Sequence, residues 1–422
     1  MPPTGWRIGI DLGTGGCRAC ALDPAGQRRA FASAPWTGPF SRPETWWHGL
    51  RQVLGRLVAQ IDPAAVTAIA VDGTSATLLV TDAVGRPLAP ALTYDDARAT
   101  REAQLIARAA PATCAAHGAT SALAKLLWFA AHGDRSRIAH ALSQADWIAF
   151  RLGAPLGASD ENNVLKLGWD PISRRWPAWL QALGVPSAWL PVVHPPGTPL
   201  GTVDRDVAKR FGLSPAARIA AGTTDSVAAT LATGAGHPGE AVTSLGSTLV
   251  LKVFSARPVF DPTHGVYSHR LGDDWLSGGA SNTGGAVLCR FFDERELDRL
   301  SRRIEPQRPT GLDYYPLLRP GERFPVADPR LSPRLTPRPA DPARFLQGLL
   351  ESMARIEAEG YRLLAALGAP YPRRVFTTGG GAVNPAWTRI RERALGVAVI
   401  PAPAAEAACG AARLAREAAD GT

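Results

Sequence analysis

Several short stretches of this chain place glycine, hydroxyl and carboxylate side chains at spacings that suit phosphate chemistry. Ile8-Gly9-Ile10-Asp11-Leu12-Gly13-Thr14-Gly15-Gly16 runs from an apolar segment into a tight turn, and a second strand-like run leaves it. Leu245-Gly246-Ser247-Thr248 repeats that logic in the other half of the chain. Glycine lets the backbone come close to a ligand, and successive turn amides can hold an anion. Two such turns are expected to grip one phosphorylated molecule from two lobes. Gly13, Thr14, Gly15, Gly246, Ser247 and Thr248 are then its phosphate-side residues. Asp11 brings a carboxylate suited to Mg2+ and phosphate. Taken alone, it reads as a turn residue accepting local amide hydrogen bonds.

Asp225 ends the Ala221-Gly222-Thr223-Thr224 run where an apolar strand meets a helix. Chemistry-bearing groups of α/β proteins sit at such strand ends. A carboxylate there can accept the proton of an attacking hydroxyl. The alternative is an ordinary N-cap, unless Thr223 or Thr224 caps the helix instead. Asp72 and Ser75 follow the Val66–Val71 strand and suit a polyol substrate, or a self-capped turn; Asp11, Thr14 and Asp225 are the other expected substrate residues. Gly379-Gly380-Gly381 precedes a helix. Gly380 and Gly381 could cradle a nucleotide, with Asn384 bonding and Trp387 stacking on its base. Equally, the triplet could be a helix entry with Trp387 buried as core. None of the four lysines follows a glycine, so a Walker A loop is excluded. The eight histidines show no H-E-x-x-H spacing, and His264 and His269 read as structural.

The elements that must position these residues follow a repeated plan. Arg7–Ile10 and Arg18–Leu22 read as a hairpin, followed by a Trp-bearing amphipathic helix over Pro43–Ile61. Leu78–Thr81 opens another hairpin, and residues from Ala97 to about Leu152 are mostly helical in pattern. Gly234–Gly239 is a candidate hinge. The second half opens with a hairpin over Ala241–Val253 and continues through a Pro- and Arg-rich loop, Pro306–Pro342. That loop is expected to be ordered by Leu312, Tyr314, Tyr315 and Phe324. A long helix over Ala343–Leu367, a strand at Arg374–Thr377, a helix at Pro385–Leu395 and an alanine-rich helix over 406–418 complete the pattern. Strands and helices in both halves, each half opening on a hairpin, indicate an α/β duplication.

Bulk properties set the frame. A chain of 422 residues is too long for one core, and 45% hydrophobic with 20% charged residues describes a globular protein. No apolar run reaches the roughly 18 residues of a membrane helix, and strand pattern begins too early for a signal peptide. A cytoplasmic protein with no membrane partner is expected. The net charge of +9 comes from scattered arginines without interleaved aromatics, which argues against a nucleic-acid partner. Five cysteines do not suggest a disulfide framework. On a strand, Cys17 and Cys20 face opposite sides of the sheet, so their C-x-x-C spacing is not a metal site.

These motifs resemble the FGGY carbohydrate kinases, which have the two-lobed actin/hexokinase-like (ribonuclease H-like) fold with a nucleotide cleft between the lobes. The likeness rests on Gly9-Ile10-Asp11-Leu12-Gly13-Thr14, Ala221-Gly222-Thr223-Thr224-Asp225-Ser226, Ser244-Leu245-Gly246-Ser247-Thr248, Thr378-Gly379-Gly380-Gly381-Ala382-Val383-Asn384 and Gly311-Leu312-Asp313-Tyr314-Tyr315-Pro316, and it spans essentially the whole chain. Within the family, Val71-Asp72-Gly73-Thr74-Ser75, Asn163-Val164-Leu165-Lys166-Leu167-Gly168 and Gly278-Gly279-Ala280-Ser281-Asn282 are similar to the short cyanobacterial and plant-plastid members described as D-ribulose kinases. The bulkier motif of xylulokinases and glycerol kinases at positions 72–77 is replaced by Gly73-Thr74-Ser75-Ala76.

The resemblance implies a sugar-binding lobe over 1–232, a nucleotide-binding lobe over 233–405, and a C-terminal helix over 406–422 that packs back on the first lobe. It implies that Asp225 is the catalytic base, that Asp11 helps hold metal and substrate, and that Gly380, Gly381, Asn384 and Trp387 border the adenine. ATP and Mg2+ are the expected cofactors, a small sugar the other partner, and a monomer or small homo-oligomer the expected assembly. The expected reaction is phosphorylation of a ketopentose at its terminal hydroxyl, D-ribulose first and D-xylulose or another polyol second. A nicotinamide-dependent oxidoreductase is disfavoured because Asn384 stands where the last glycine of G-x-G-x-x-G should be. A non-catalytic sugar or nucleotide sensor is disfavoured by the presence of both Asp11 and Asp225.

Overall fold

A computed structural model describes residues 5–402 and 405–420. The chain divides into two compact units. The first runs through Ala232 and adds His269–Gly272 and the chain from Glu406; the second comprises Thr233–Ser268 and Asp273–Ala405. In chain order the first contains β1 (Trp6–Leu12), β2 (Gly16–Leu22), β3 (Arg28–Pro35), α1 (Pro43–Val58), β4 (Val66–Gly73), β5 (Leu78–Thr81), α2 (Thr100–Ala109), α3 (Ala122–His132), β6 (His140–Ser143), α4 (Gln144–Leu152), β7 (Ala158–Asp160), α5 (Trp179–Ala182), β8 (Val192–His194), β9 (Pro199–Thr202), α6 (Arg205–Phe211), β10 (Arg218–Thr224) and α7 (Asp225–Ala232). The chain continues through β11 (Glu240–Leu245), β12 (Leu249–Ser255), β13 (Tyr267–Leu271), β14 (Asp274–Ser281), α8 (Gly285–Cys289), α9 (Glu294–Ser301), α10 (Pro342–Ala366), β15 (Arg374–Thr378), α11 (Pro385–Leu395), β16 (Ala398–Pro401) and α12 (Ala407–Asp420).

Each unit is centred on a six-stranded mixed sheet, and the two sheets repeat one arrangement. Strand order is β3-β2-β1-β4-β10-β9 in the first and β13-β14-β12-β11-β15-β16 in the second. An antiparallel hairpin, β1 with β2 or β11 with β12, lies beside a parallel strand, β4 or β15. The expected two-unit α/β duplication is therefore the observed architecture.

The alternation of side chains along the strands decides what covers each face. Ile8, Ile10 and Leu12 of β1, Cys17 and Ala19 of β2, and Ile69 and Val71 of β4 join Trp46, Leu50 and Leu54 of α1 in one apolar cluster. Where α12 crosses it, the opposite face carries small residues, among them Gly9, Ala68, Ala70 and Ala220. Against it lies α12, whose Ala411, Leu414, Ala415 and Ala418 follow helical spacing. A Cβ on Gly9 would stand 1.8 Å from the Ala408 carbonyl oxygen, and one on Gly410 would stand 1.8 Å from that of Ala228. Only glycine admits this close approach of helix and sheet.

Cys20 lies on the α12 face and Cys17 on the other, so the two diverge as their spacing predicts. Pairing, however, differs from expectation. Cys20 and Cys409 form a disulfide with Cα atoms 5.2 Å apart, a separation that suits the bond. Residues 389 positions apart in sequence leave no local signal of that pairing.

In the second unit, α10 begins at Pro342 behind an Asp341 cap whose side chain accepts from the Ala343 amide. Its buried face packs with Tyr314, Tyr315 and Phe324 from the preceding long loop. That loop is also tied by Glu322, which accepts from the Ser281 and Tyr315 hydroxyls and the Asn282 amide.

Candidate active site

Strand register aligns the polar residues of the first unit in one row. Asp11 on β1 stands opposite Arg18 on β2 and opposite Asp72 on β4, and Asp72 stands opposite Thr223 on β10. Paired positions share a face, so the side chains of Arg18, Asp11, Asp72 and Thr223 project together. The row lies at the carboxyl ends of the parallel strands β1, β4 and β10, on the face covered by α12. Arg18 donates to Asp11 Oδ2 at 2.9 Å, and a Cβ on Gly13 would meet Arg18 Nη1 at 2.8 Å. Gly13 therefore keeps the hairpin clear of this ion pair; its carbonyl accepts from Trp36 Nε1. Thr14 and Gly15 form the exposed tip of the turn, and Gly15 has open space around it.

Burial raises the Asp11 pKa, and the Arg18 guanidinium opposes the rise. Asp72 is fully buried, and neither carboxylate oxygen has a hydrogen-bond partner. Burial, with the nearby charges of Asp11 and Asp225, holds its pKa well above the ordinary carboxylate range. Asp72 stands beside Asp11 in the strand register and faces the charges of Asp11 and Asp225.

Asp225 opens α7 immediately after β10, and its Oδ1 accepts from the Ser226 amide at 2.6 Å. Thr223 and Thr224 do not take over capping. The Thr223 hydroxyl accepts from Asn162 Nδ2 at 3.1 Å, and the buried Thr224 hydroxyl has no partner. β10 reaches this point through an irregular register in which a Cβ on Gly222 would stand 1.8 Å from the Val71 carbonyl oxygen. That contact fixes the strand end that delivers Asp225.

The loop after β4 sorts its hydroxyls. Thr74 and Thr77 lie 2.6 Å apart; Thr74 also donates to Gln144 Oε1, and the Thr77 hydroxyl accepts from the Tyr94 amide. Ser75 is half-buried and is the loop residue whose hydroxyl these bonds leave uncommitted.

In the second unit, Gly246 and Ser247 from the β11–β12 turn and Gly380, Gly381, Asn384 and Trp387 from the segment after β15 line one cavity of about 780 Å3. That volume suits a nucleotide-sized ligand. Thr248 is not among its lining residues. Gly379, at φ +81°, lies against the Leu245 carbonyl, whereas nothing stands within 4 Å of a Cβ on Gly380. The two glycine turns thus nest together and leave Gly380 open. Asn384 caps α11: Oδ1 accepts from the Trp387 amide and Nδ2 donates to Ser301 Oγ at 2.8 Å. Trp387 is core, 3% exposed, with its ring against Gly381. The core alternative describes the bulk of this side chain, while its remaining edge borders the cavity.

Sequence reading left several supporting residues without a role. Arg18 was recoverable by counting register outward from the first turn. Gln144, Asn162 and Lys125 come from distant segments and gave no such signal. The same holds for the buried pair of Glu357 and Arg391, which reaches Thr243 on β11 and Thr377 on β15, the strands that feed both glycine turns.

The description "FGGY family of carbohydrate kinases" matches as its N-terminal domain over residues 6–232 and as its C-terminal domain over residues 241–419. A xylulose kinase of Streptomyces rubiginosus is 29% identical, over 96% of this chain and 86% of its own. A xylulose kinase of Streptomyces coelicolor is 30% identical, over 75% of this chain and 68% of its own. The crystal structure of xylulose kinase from Rhodospirillum rubrum aligns with a TM-score of 0.84 at 25% identity, covering 97% of this chain and 89% of that one. With both halves matched in order, the chain belongs to the FGGY family of carbohydrate kinases and is a sugar kinase.

Proposed function

We propose that this kinase transfers the γ-phosphoryl group of ATP to the terminal hydroxyl of a ketopentose, converting D-ribulose to D-ribulose 5-phosphate. The observation that carries the reading is the row Arg18–Asp11–Asp72–Thr223 ending at Asp225, a set of carboxylates at strand ends of which one is fully buried. Asp225 accepts the proton of the sugar hydroxyl as its oxygen attacks the γ-phosphorus. The bond from that phosphorus to the β,γ-bridging oxygen breaks, and ADP leaves. Ser75, with an uncommitted hydroxyl, and Thr14, at the exposed tip, bind sugar hydroxyls. The cavity beside Gly246, Ser247, Gly380 and Gly381 takes the nucleotide, whose phosphates meet turn amides rather than a lysine.

Mg2+ fits the donor set. Asp11 has one oxygen held by Arg18 and the other outside that bond, and no cluster of three or more acidic, histidine or cysteine ligands occurs among the described residues. One carboxylate with phosphates and water is the usual Mg2+ environment. Bound there, the ion would offset charge on the phosphoryl oxygens.

Gly73-Thr74-Ser75-Ala76 supports D-ribulose, through its likeness to the D-ribulose kinase group. D-Xylulose is the second reading, supported by relatives named as xylulose kinases. Sugar-dependent ADP release measured with D-ribulose, D-xylulose, L-ribulose, ribitol and glycerol at fixed Mg-ATP separates them. The expected result is the highest kcat/KM for D-ribulose; a higher value for D-xylulose overturns the substrate assignment.

A further inference from the structure

Lys125 lies on α3 with no exposed surface, on a helix whose neighbours Leu123, Ala124, Leu126 and Leu127 are apolar. Its ammonium donates to two backbone carbonyls, Ala76 at 2.9 Å and Thr93 at 2.7 Å. No carboxylate among the described residues pairs with it within salt-bridge distance. Burying a charge without a counter-ion is costly, and an aliphatic residue would fill the position without that cost. What the charge holds is a turn that needs holding. Ala76 has φ +68°, in the left-handed region that residues with a Cβ seldom adopt.

The two carbonyls belong to loops zipped against each other. Leu78 and Leu92 exchange backbone hydrogen bonds, and the Tyr94 amide donates to Thr77 Oγ1. One loop carries Ser75 and the other carries the exposed Tyr94 and Asp95. We propose that Lys125 is the positioning residue of the sugar side: one buried ammonium fixes both loops, and with them the placement of Ser75. This rests on the reading of Ser75 as a sugar contact. Burial lowers the Lys125 pKa to about 8; the charge of Lys166 adds to the fall, and those of Asp96 and Asp95 oppose it.

The test compares Lys125→Met with the double variant Lys125→Met/Ala76→Gly, because glycine occupies positive φ without a clamp. In Lys125→Met the KM for the ketopentose is expected to rise about tenfold or more, as misplaced binding groups do, with the KM for ATP unchanged. The double variant is expected to recover most of the lost sugar affinity. A parallel rise in both KM values, or no recovery on adding glycine, overturns the proposal. If Lys125→Met alone does not fold, the double variant decides: a folded enzyme with near-native sugar KM supports the clamp, and an unfolded one overturns it. Hydrogen exchange supplies a readout independent of substrate. Faster exchange confined to residues 74–78 and 92–96 in Lys125→Met is expected, and unchanged exchange there overturns the clamp. Wild-type protein inactive on every ketopentose would instead remove the proposed substrate and leave the exchange result to stand by itself.

Discussion

Sealing a carboxyl group from water raises its pKa, and the first unit shows this with and without hydrogen-bond donors. Asp72 has no donor. Asp160 accepts from the amides of Asn162 and Asn163 and from the Asn163 side chain, yet burial and the charge of Asp146 still push its pKa up to about 8. A folded-state pKa above the unfolded one ties stability to the bound proton. That contribution is complete below the ordinary carboxylate range and is lost as pH rises toward about 8. Denaturant midpoints measured from pH 5 to pH 9 should therefore fall with rising pH. In Asp160→Asn the fall should be shallower, because that amide carries no titrating proton. An unchanged slope would mean that Asp160 is ionised throughout. At this scale the sequence was partly legible. Asp11 and Asp225 stand out because glycine and hydroxyl neighbours mark strand ends, whereas the raised pKa of Asp72 depends on burial that no local pattern encodes.

Among the elements, α12 depends most on contacts remote in sequence. It lies across β1, β4 and β10 because Gly9 and a set of alanines leave that face flat, and because Gly410 lets it approach α7. Its amino-terminal end brings Glu406 to 3.9 Å from Arg18, so the helix borders the ion pair that holds Asp11. The Cys20–Cys409 disulfide fastens that end to β2. Its loss is expected to destabilise the first unit by roughly 2–5 kcal/mol. Excess dithiothreitol should lower the Tm of the wild-type protein, Cys409→Ala should show a similar loss, and reductant should have no further effect on that variant. A wild-type Tm indifferent to reductant would contradict this. The alanine-rich helix and both hairpins were legible from periodicity and turn residues. The disulfide was not, since an odd cysteine count in a long chain favours free thiols and the partner lies at the far end.

For the molecule as a whole, one supersecondary plan is used twice with different chemistry at equivalent places. The hairpin of the first unit carries Asp11 and Arg18 across its register; the hairpin of the second carries Gly246 and Ser247 beside a cavity. The strand beside each hairpin then contributes either a buried carboxyl, Asp72, or a glycine triplet. Five ordered motifs made the family legible. Residues that only brace them (Arg18, Gln144, Asn162, Glu357 and Arg391) became visible through register and packing. Among the described residues no helix is long and apolar enough to cross a membrane. The account as a whole stands on Asp225 as the proton acceptor. Sugar-dependent ADP release by Asp225→Ala, measured alongside ATP binding, tests it most directly. Turnover is expected to fall by roughly 10²–10⁴ with ATP affinity unchanged; a variant that turns over within a few-fold of wild type would contradict the account.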